Sequence, residues 1–145
     1  MGKKPEIQMT PEISEISLKE LDFTPEIINE LYDALTQTKI IINSYHEVSS
    51  RFPTKMREEV GLLIVESDLL LLEFNSLYII TSSLIEKLKK KYFLGEKIGI
   101  SKKEKDDFKQ RLNFLKLRVK VLIKDTENFV KKVKIYQKNQ PLPIA

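Results

Sequence analysis

The sequence predicts an all-α protein: an elongated antiparallel three- or four-helix bundle with long coiled helices and a short N-terminal arm. Apolar residues recur at alternating steps of three and four over most of the chain, which gathers them on single helix faces. The interruptions of that rhythm coincide with proline and glycine, the residues that stop helices. At 145 residues and with no cysteine, the chain is long enough to bury roughly 70% of its unfolded surface, so one core without disulfide or metal is expected.

Residues 1–23 read as a docked arm. Thr10-Pro11-Glu12-Ile13 is a helix start, with a capping hydroxyl, a first-turn proline that has no N–H to satisfy, and a carboxylate at the positive end of the dipole. Ser17-Leu18-Lys19-Glu20 has capping-box spacing, so a short helix or turn is expected within residues 11–22. The same tetrapeptide returns as Thr24-Pro25-Glu26-Ile27 and opens the bundle, residues 24–139. Repeated capping chemistry explains the recurrence better than a duplicated domain.

The first bundle helix carries Ile28, Leu31, Leu35, Thr38, Ile42 and Tyr45 on one face. Arg51-Phe52-Pro53 ends it, because proline excludes helical geometry from the residue before it. Thr54 is the expected cap of the second helix, whose seam runs Met56, Val60, Leu63, Ser67, Leu70, Phe74, Leu77, Thr81, Leu84 and Leu88. That helix should stop before Gly95, and the turn to Ile100 contains a second glycine, Gly99. Ser101 and Glu104 form a capping box for the third helix, with a seam of Phe108, Leu112, Leu115, Val119, Leu122, Thr126, Phe129, Val133 and Tyr136. At ~1.5 Å per residue the second and third helices should each reach about 55 Å, and a short turn between them requires an antiparallel hairpin with gentle left-handed wrapping. The second helix is also apolar at Leu69, Leu71, Leu72, Tyr78, Ile79, Ile80 and Ile85, which predicts that its middle is surrounded, with the first helix and the arm covering it. Gln140-Pro141-Leu142-Pro143-Ile144-Ala145 cannot continue a helix and should form an extended tail over 140–145.

Charge divides the chain. Residues 1–85 hold 7 Lys+Arg against 14 Asp+Glu, and residues 86–145 hold 18 against 7. A one-signed field selects oppositely charged macromolecular surfaces and speeds encounter with them. No apolar run approaches the ~20 residues that cross a bilayer, and the N-terminus lacks an apolar signal core. A soluble intracellular protein with no membrane partner is expected.

The residues point away from catalysis, metals and cofactors. His46 is the one histidine and there is no cysteine to join it, so neither a metal site nor a nucleophile relay can be assembled around it. Four glycines make no phosphate-cradling loop, and nothing suggests a small-molecule substrate. The candidate residues are therefore charged ones for partner contact. Glu59, Glu66 and Glu73 recur one heptad apart beside the second seam, and Arg118 and Lys132 flank the third; intramolecular pairing across the hairpin is the favoured reading, a partner site the alternative. Glu58 stands beside them. The third helix carries Lys109, Lys116, Lys120, Lys124, Lys131, Lys134 and Lys138, either a solvated face or a contact for nucleic acid or an acidic protein. With four arginines and no aromatic stacking platform, any DNA binding should be weak, salt-sensitive and sequence-indifferent.

The length, the cysteine-free Lys/Ile/Glu composition, the coiled helices, the charge split, the Thr-Pro-Glu-Ile starts at 10 and 24 and the Lys116, Lys120, Lys124 run together resemble the RNA polymerase inhibitory family of the Acidianus two-tailed archaeal virus, a family related to that virus's major virion protein. The resemblance implies a regulator that enters the DNA-binding channel of host archaeal RNA polymerase, engages the mobile clamp and blocks transcription by occlusion and clamp restriction in the host cytoplasm. The partner-binding candidates are then Lys109, Lys116, Lys120, Lys124 and Lys131 with Glu58, Glu59 and Glu66. The runner-up reading is a virion structural protein that coats DNA, and a third is a generic helical adaptor with no nucleic-acid role.

Overall fold

A computed structural model describes residues 25–95 and 100–139. Among them run α1 (Pro25–Glu47), a single 3-10 turn (Ser49–Arg51), α2 (Thr54–Phe93) and α3 (Lys102–Lys138), with no strand. The protein is an all-α helical bundle. The arm of residues 1–23, the tail of 140–145 and residues 96–99 of the turn lie outside the described residues.

The helices begin and end for local reasons. Helix α1 starts at Pro25 with Glu26 in its first turn, as the second Thr-Pro-Glu-Ile requires. It ends at Glu47, four residues before the expected stop, because the chain tightens to 3-10 geometry ahead of the proline. Val48, Arg51 and Phe52 donate to the carbonyls three residues back at 3.2, 3.1 and 3.0 Å, and Phe52 is extended at φ −93°, ψ 155°, as a residue before proline must be. Thr54 is not the cap of α2. The Pro53 carbonyl accepts the first helical bond, from the Arg57 N–H at 3.0 Å, while the Thr54 hydroxyl accepts from the Arg57 guanidinium at 3.0 Å. Helix α2 stops at Phe93, with Gly95 just beyond at φ 70°, left-handed backbone that suits a residue without Cβ. The box at the start of α3 closes in both directions: the Glu104 N–H donates to the Ser101 hydroxyl at 3.1 Å and the Ser101 N–H to the Glu104 carboxylate at 3.3 Å.

Two compact units divide the chain, one comprising Met1–Asp33 with Leu72–Lys116, the other Ala34–Leu71 with Leu117–Ala145. In the first, α2 and α3 run antiparallel, with the Lys87 ammonium on the Glu104 carboxylate and the Arg111 guanidinium donating to the Ser76 hydroxyl at 3.3 Å. Its core is Ile28, Phe74, Leu77, Leu84, Ile85, Leu88, Phe108, Leu112 and Leu115, and Tyr32 of α1 lies against Phe74 with ring centroids 4.8 Å apart.

In the second unit the same two helices are again antiparallel, paired at Glu66–Arg118 and Glu59–Lys132. Leu35, Ile42, Phe52, Val60, Leu63, Leu70, Val119, Leu122, Phe129 and Val133 fill it. Phe52, carried in by the 3-10 turn, meets Phe129 and Tyr136 edge-on at 6.1 and 6.2 Å, and Tyr45 meets Phe129 at 5.8 Å. The Tyr136 hydroxyl donates to the Arg51 carbonyl at 3.3 Å, which ties the α1–α2 connection to the end of α3.

Every seam position is buried or half-buried, including the polar ones. Thr38, Ser67, Thr81 and Thr126 lie in the core, and each donates its hydroxyl to a carbonyl of its own helix at 2.7–2.8 Å. Their polar atoms are satisfied without a partner helix, so the seam can hold small residues at no cost in orphaned donors.

Among the described residues α2 is covered on part of its circumference, and the arm expected to add to that cover lies outside them. Ile85 is buried and Leu71, Tyr78 and Ile80 are half-buried, but Leu69, Leu72 and Ile79 are exposed. Within each unit α1 and α3 occupy two flanks of α2, and a helix packed on two flanks has a third sector that no other described helix covers.

Candidate partner-binding surfaces

The charged residues fall into two groups, those consumed within the fold and those left outward. On α2, Glu59 receives Lys132 at 3.0 Å and Glu66 receives Arg118, the intramolecular pairing that the heptad spacing favoured. Asp68 is taken by Lys39 of α1, which also reaches the Ser67 hydroxyl at 3.5 Å. Glu73 faces Arg111 across a shallow cleft completed by Asp107, Gln110 and Phe114. Glu58 is exposed and has no ion pair with a described residue. Of the three acidic candidates, Glu58 is the one whose charge is not engaged by a neighbouring helix.

The lysines of α3 behave differently. At 3.6 residues per turn, Lys120, Lys124, Lys131, Lys134 and Lys138 fall within an arc of about 80°, and all five are exposed. No described residue pairs with them. The arc lies on the side of α3 away from its buried seam of Val119, Leu122, Thr126, Phe129 and Val133. In the first unit, Lys109 and Lys116 are exposed as well. Glu127 is the single acidic residue within the second unit's arc, so the face is strongly cationic.

The face consists of point charges on flexible stems. Such side chains bind through charge and lose affinity as salt rises; they do not read a base sequence. His46 is exposed and no metal-holding cluster of His, Asp or Glu occurs among the described residues. No helix among them is long and apolar enough to cross a membrane.

Three contacts were missed by the sequence reading: Lys39–Asp68, Lys87–Glu104 and Arg111–Ser76. A signal for one was present. Stepping 28 residues toward the turn along both helices from Glu59 and Lys132 lands on Lys87 and Glu104. Lys87 and Ser101 together hold the Glu104 carboxyl below its ordinary value of 4.5, the Lys87 hydrogen bond contributing most.

Comparison of the chain with protein-family profiles, curated proteins and solved structures gave no match.

Proposed function

We propose that the protein is a non-enzymatic viral regulator that binds host archaeal RNA polymerase in its DNA-binding channel and inhibits transcription by occlusion and by restricting the clamp. The observation that carries the reading is the α3 face of Lys120, Lys124, Lys131, Lys134 and Lys138, which no described residue pairs, beside an α2 whose Glu59, Glu66 and Asp68 are engaged internally. A protein built this way presents fixed positive charge to acidic macromolecular surfaces. The resemblance in length, composition and charge split supplies the polymerase as the target, and the clamp and channel as the place.

The test is a pull-down with purified host polymerase in the absence of DNA, followed by transcription in vitro from unrelated promoters. The regulator should be retained by the polymerase and suppress all promoters alike, because a blocked channel or a fixed clamp ignores promoter sequence. Normal transcription in a large molar excess of the protein sinks the proposal. A second reading, a DNA-coating virion protein, draws on the same lysines: it requires DNA binding at low salt that falls steeply as salt rises, assembly on DNA, and indifference to polymerase.

A further inference from the structure

The lysine face does not stand alone in the second unit. Leu62, Val65 and Leu69 follow one another at helical spacing along the outer side of α2, and Leu117 and Val121 do so on α3; these five are between 52 and 69% exposed. The Glu66–Arg118 ion pair lies between the two rows, since Leu62 and Leu69 are one turn to either side of Glu66, and Leu117 and Val121 adjoin Arg118. Lys120 and Lys124 sit three residues beyond Leu117 and Val121 respectively, so they border the α3 row along its length. Single exposed leucines are ordinary on a protein surface, but five branched aliphatic residues in two adjacent rows form a docking patch.

We infer that this patch binds an amphipathic helix of a partner protein, with aliphatic residues at three-four spacing seated over the Leu62–Leu69 and Leu117–Val121 rows and carboxylates along the edge that meets Lys120 and Lys124. Complementarity of charge selects this occupant. A nucleic-acid strand would satisfy the lysines and leave the aliphatic rows facing a phosphate backbone, since base-binding surfaces use aromatic side chains. A second copy of the chain would cover the rows, yet it brings its own bordering Lys120 and Lys124 to the same edge, where like charges oppose each other. An apolar stripe edged with carboxylates matches both parts of the surface at once. The surface does not depend on the polymerase reading, because it specifies the chemistry of the docked element and not the protein that carries it.

The experiment uses the full chain and a fluorescent synthetic helix of about 21 residues, long enough to hold helical structure, with leucine at the a and d positions and glutamate beside them. Anisotropy titration should show saturable binding, and a peptide of the same composition in scrambled order should bind at least about tenfold more weakly. Lys120→Glu with Lys124→Glu should weaken the glutamate peptide about tenfold and improve binding of its lysine-edged counterpart. Leu69→Ser with Val121→Ser should weaken both peptides; circular dichroism verifies that this variant is folded, and if it is not, the lysine pair alone decides. Absence of binding, equal binding of the scrambled peptide, or indifference to the lysine reversal overturns the inference. Sedimentation showing a dimer that Leu69→Ser dissociates assigns the patch to a second copy instead, and duplex DNA binding without peptide binding assigns it to nucleic acid.

Discussion

Gly61 lies in the interior of α2, where glycine costs roughly 0.5–1 kcal/mol relative to alanine because it gives up more backbone freedom on folding. A Cβ built there meets nothing within 4 Å, so Gly61→Ala should raise stability by about that amount, read as a higher denaturant midpoint at unchanged slope. Gly95→Ala should do the opposite. Space is equally open there, but its φ of 70° is left-handed backbone that costs an L side chain about 1 kcal/mol. Glu104 gives a residue-scale prediction in pH. Its carboxyl is held below 4.5 by Lys87 and by the Ser101 N–H, so the folded state binds its proton less readily than the unfolded one. That stabilisation is fully present above the ordinary carboxylate range and is lost as pH falls through the lowered value. The stability gap between the parent protein and Glu104→Gln, measured by urea melts, should therefore be constant near neutrality and close in acid below 4.5; a gap that widened in acid would contradict the pairing.

At the scale of elements, the α2 seam carries the largest consequences. Leu70, Phe74 and Leu77 are each at most 3% exposed, with Phe74 also against Tyr32. Leu70→Ala or Leu77→Ala should cost about 2–5 kcal/mol, and Phe74→Ala about 3–5 kcal/mol, because the vacated volume lies between helices that cannot fully collapse into it. Three variants melting like the parent would mean that this stripe faces solvent or a partner. The seams and the α2–α3 turn were legible in the sequence because periodicity and capping are local: Ser101 with Glu104 and Gly95 act within one turn of their own positions. The Glu59–Lys132 and Glu66–Arg118 pairs were legible because a heptad of glutamates projects onto the opposite helix once the hairpin is assumed. The exposed side of α2 was not. Leu69, Leu72 and Ile79 have the same composition as core residues, and which apolar sector remains uncovered depends on how many helices arrive and from which side. The early end of α1 also escaped notice, since the influence of Pro53 spreads backward through a 3-10 turn that no single residue specifies.

For the molecule as a whole, the charge split separates into a part that holds the fold together and a part that remains available. Glu59 and Glu66 are only about a quarter exposed and already paired, so reversing them to Lys places like charges beside Lys132 and Arg118 and removes two contacts, each worth about 0 to 1 kcal/mol when surface-exposed. Any loss of polymerase inhibition in such a variant would be entangled with a lower melting temperature. Glu58→Lys changes the acidic flank without touching either pair and should leave melting unchanged. Lys116, Lys120 and Lys124 are exposed and none pairs with a described residue, so reversing all three to Glu should preserve helicity by circular dichroism. If the cationic face carries the polymerase interaction, this triple variant should slow association most strongly at low ionic strength, because long-range attraction is screened within about 8 Å at physiological salt. Inhibition should then fall at every promoter in proportion, with the Glu58→Lys variant nearer the parent. The contrary pattern, full inhibition by the lysine triple variant and loss in Glu58→Lys, would transfer the binding role to the acidic flank of α2. Unchanged inhibition in both would remove charge from the mechanism and leave the aliphatic rows of the second unit as the element that must meet the partner.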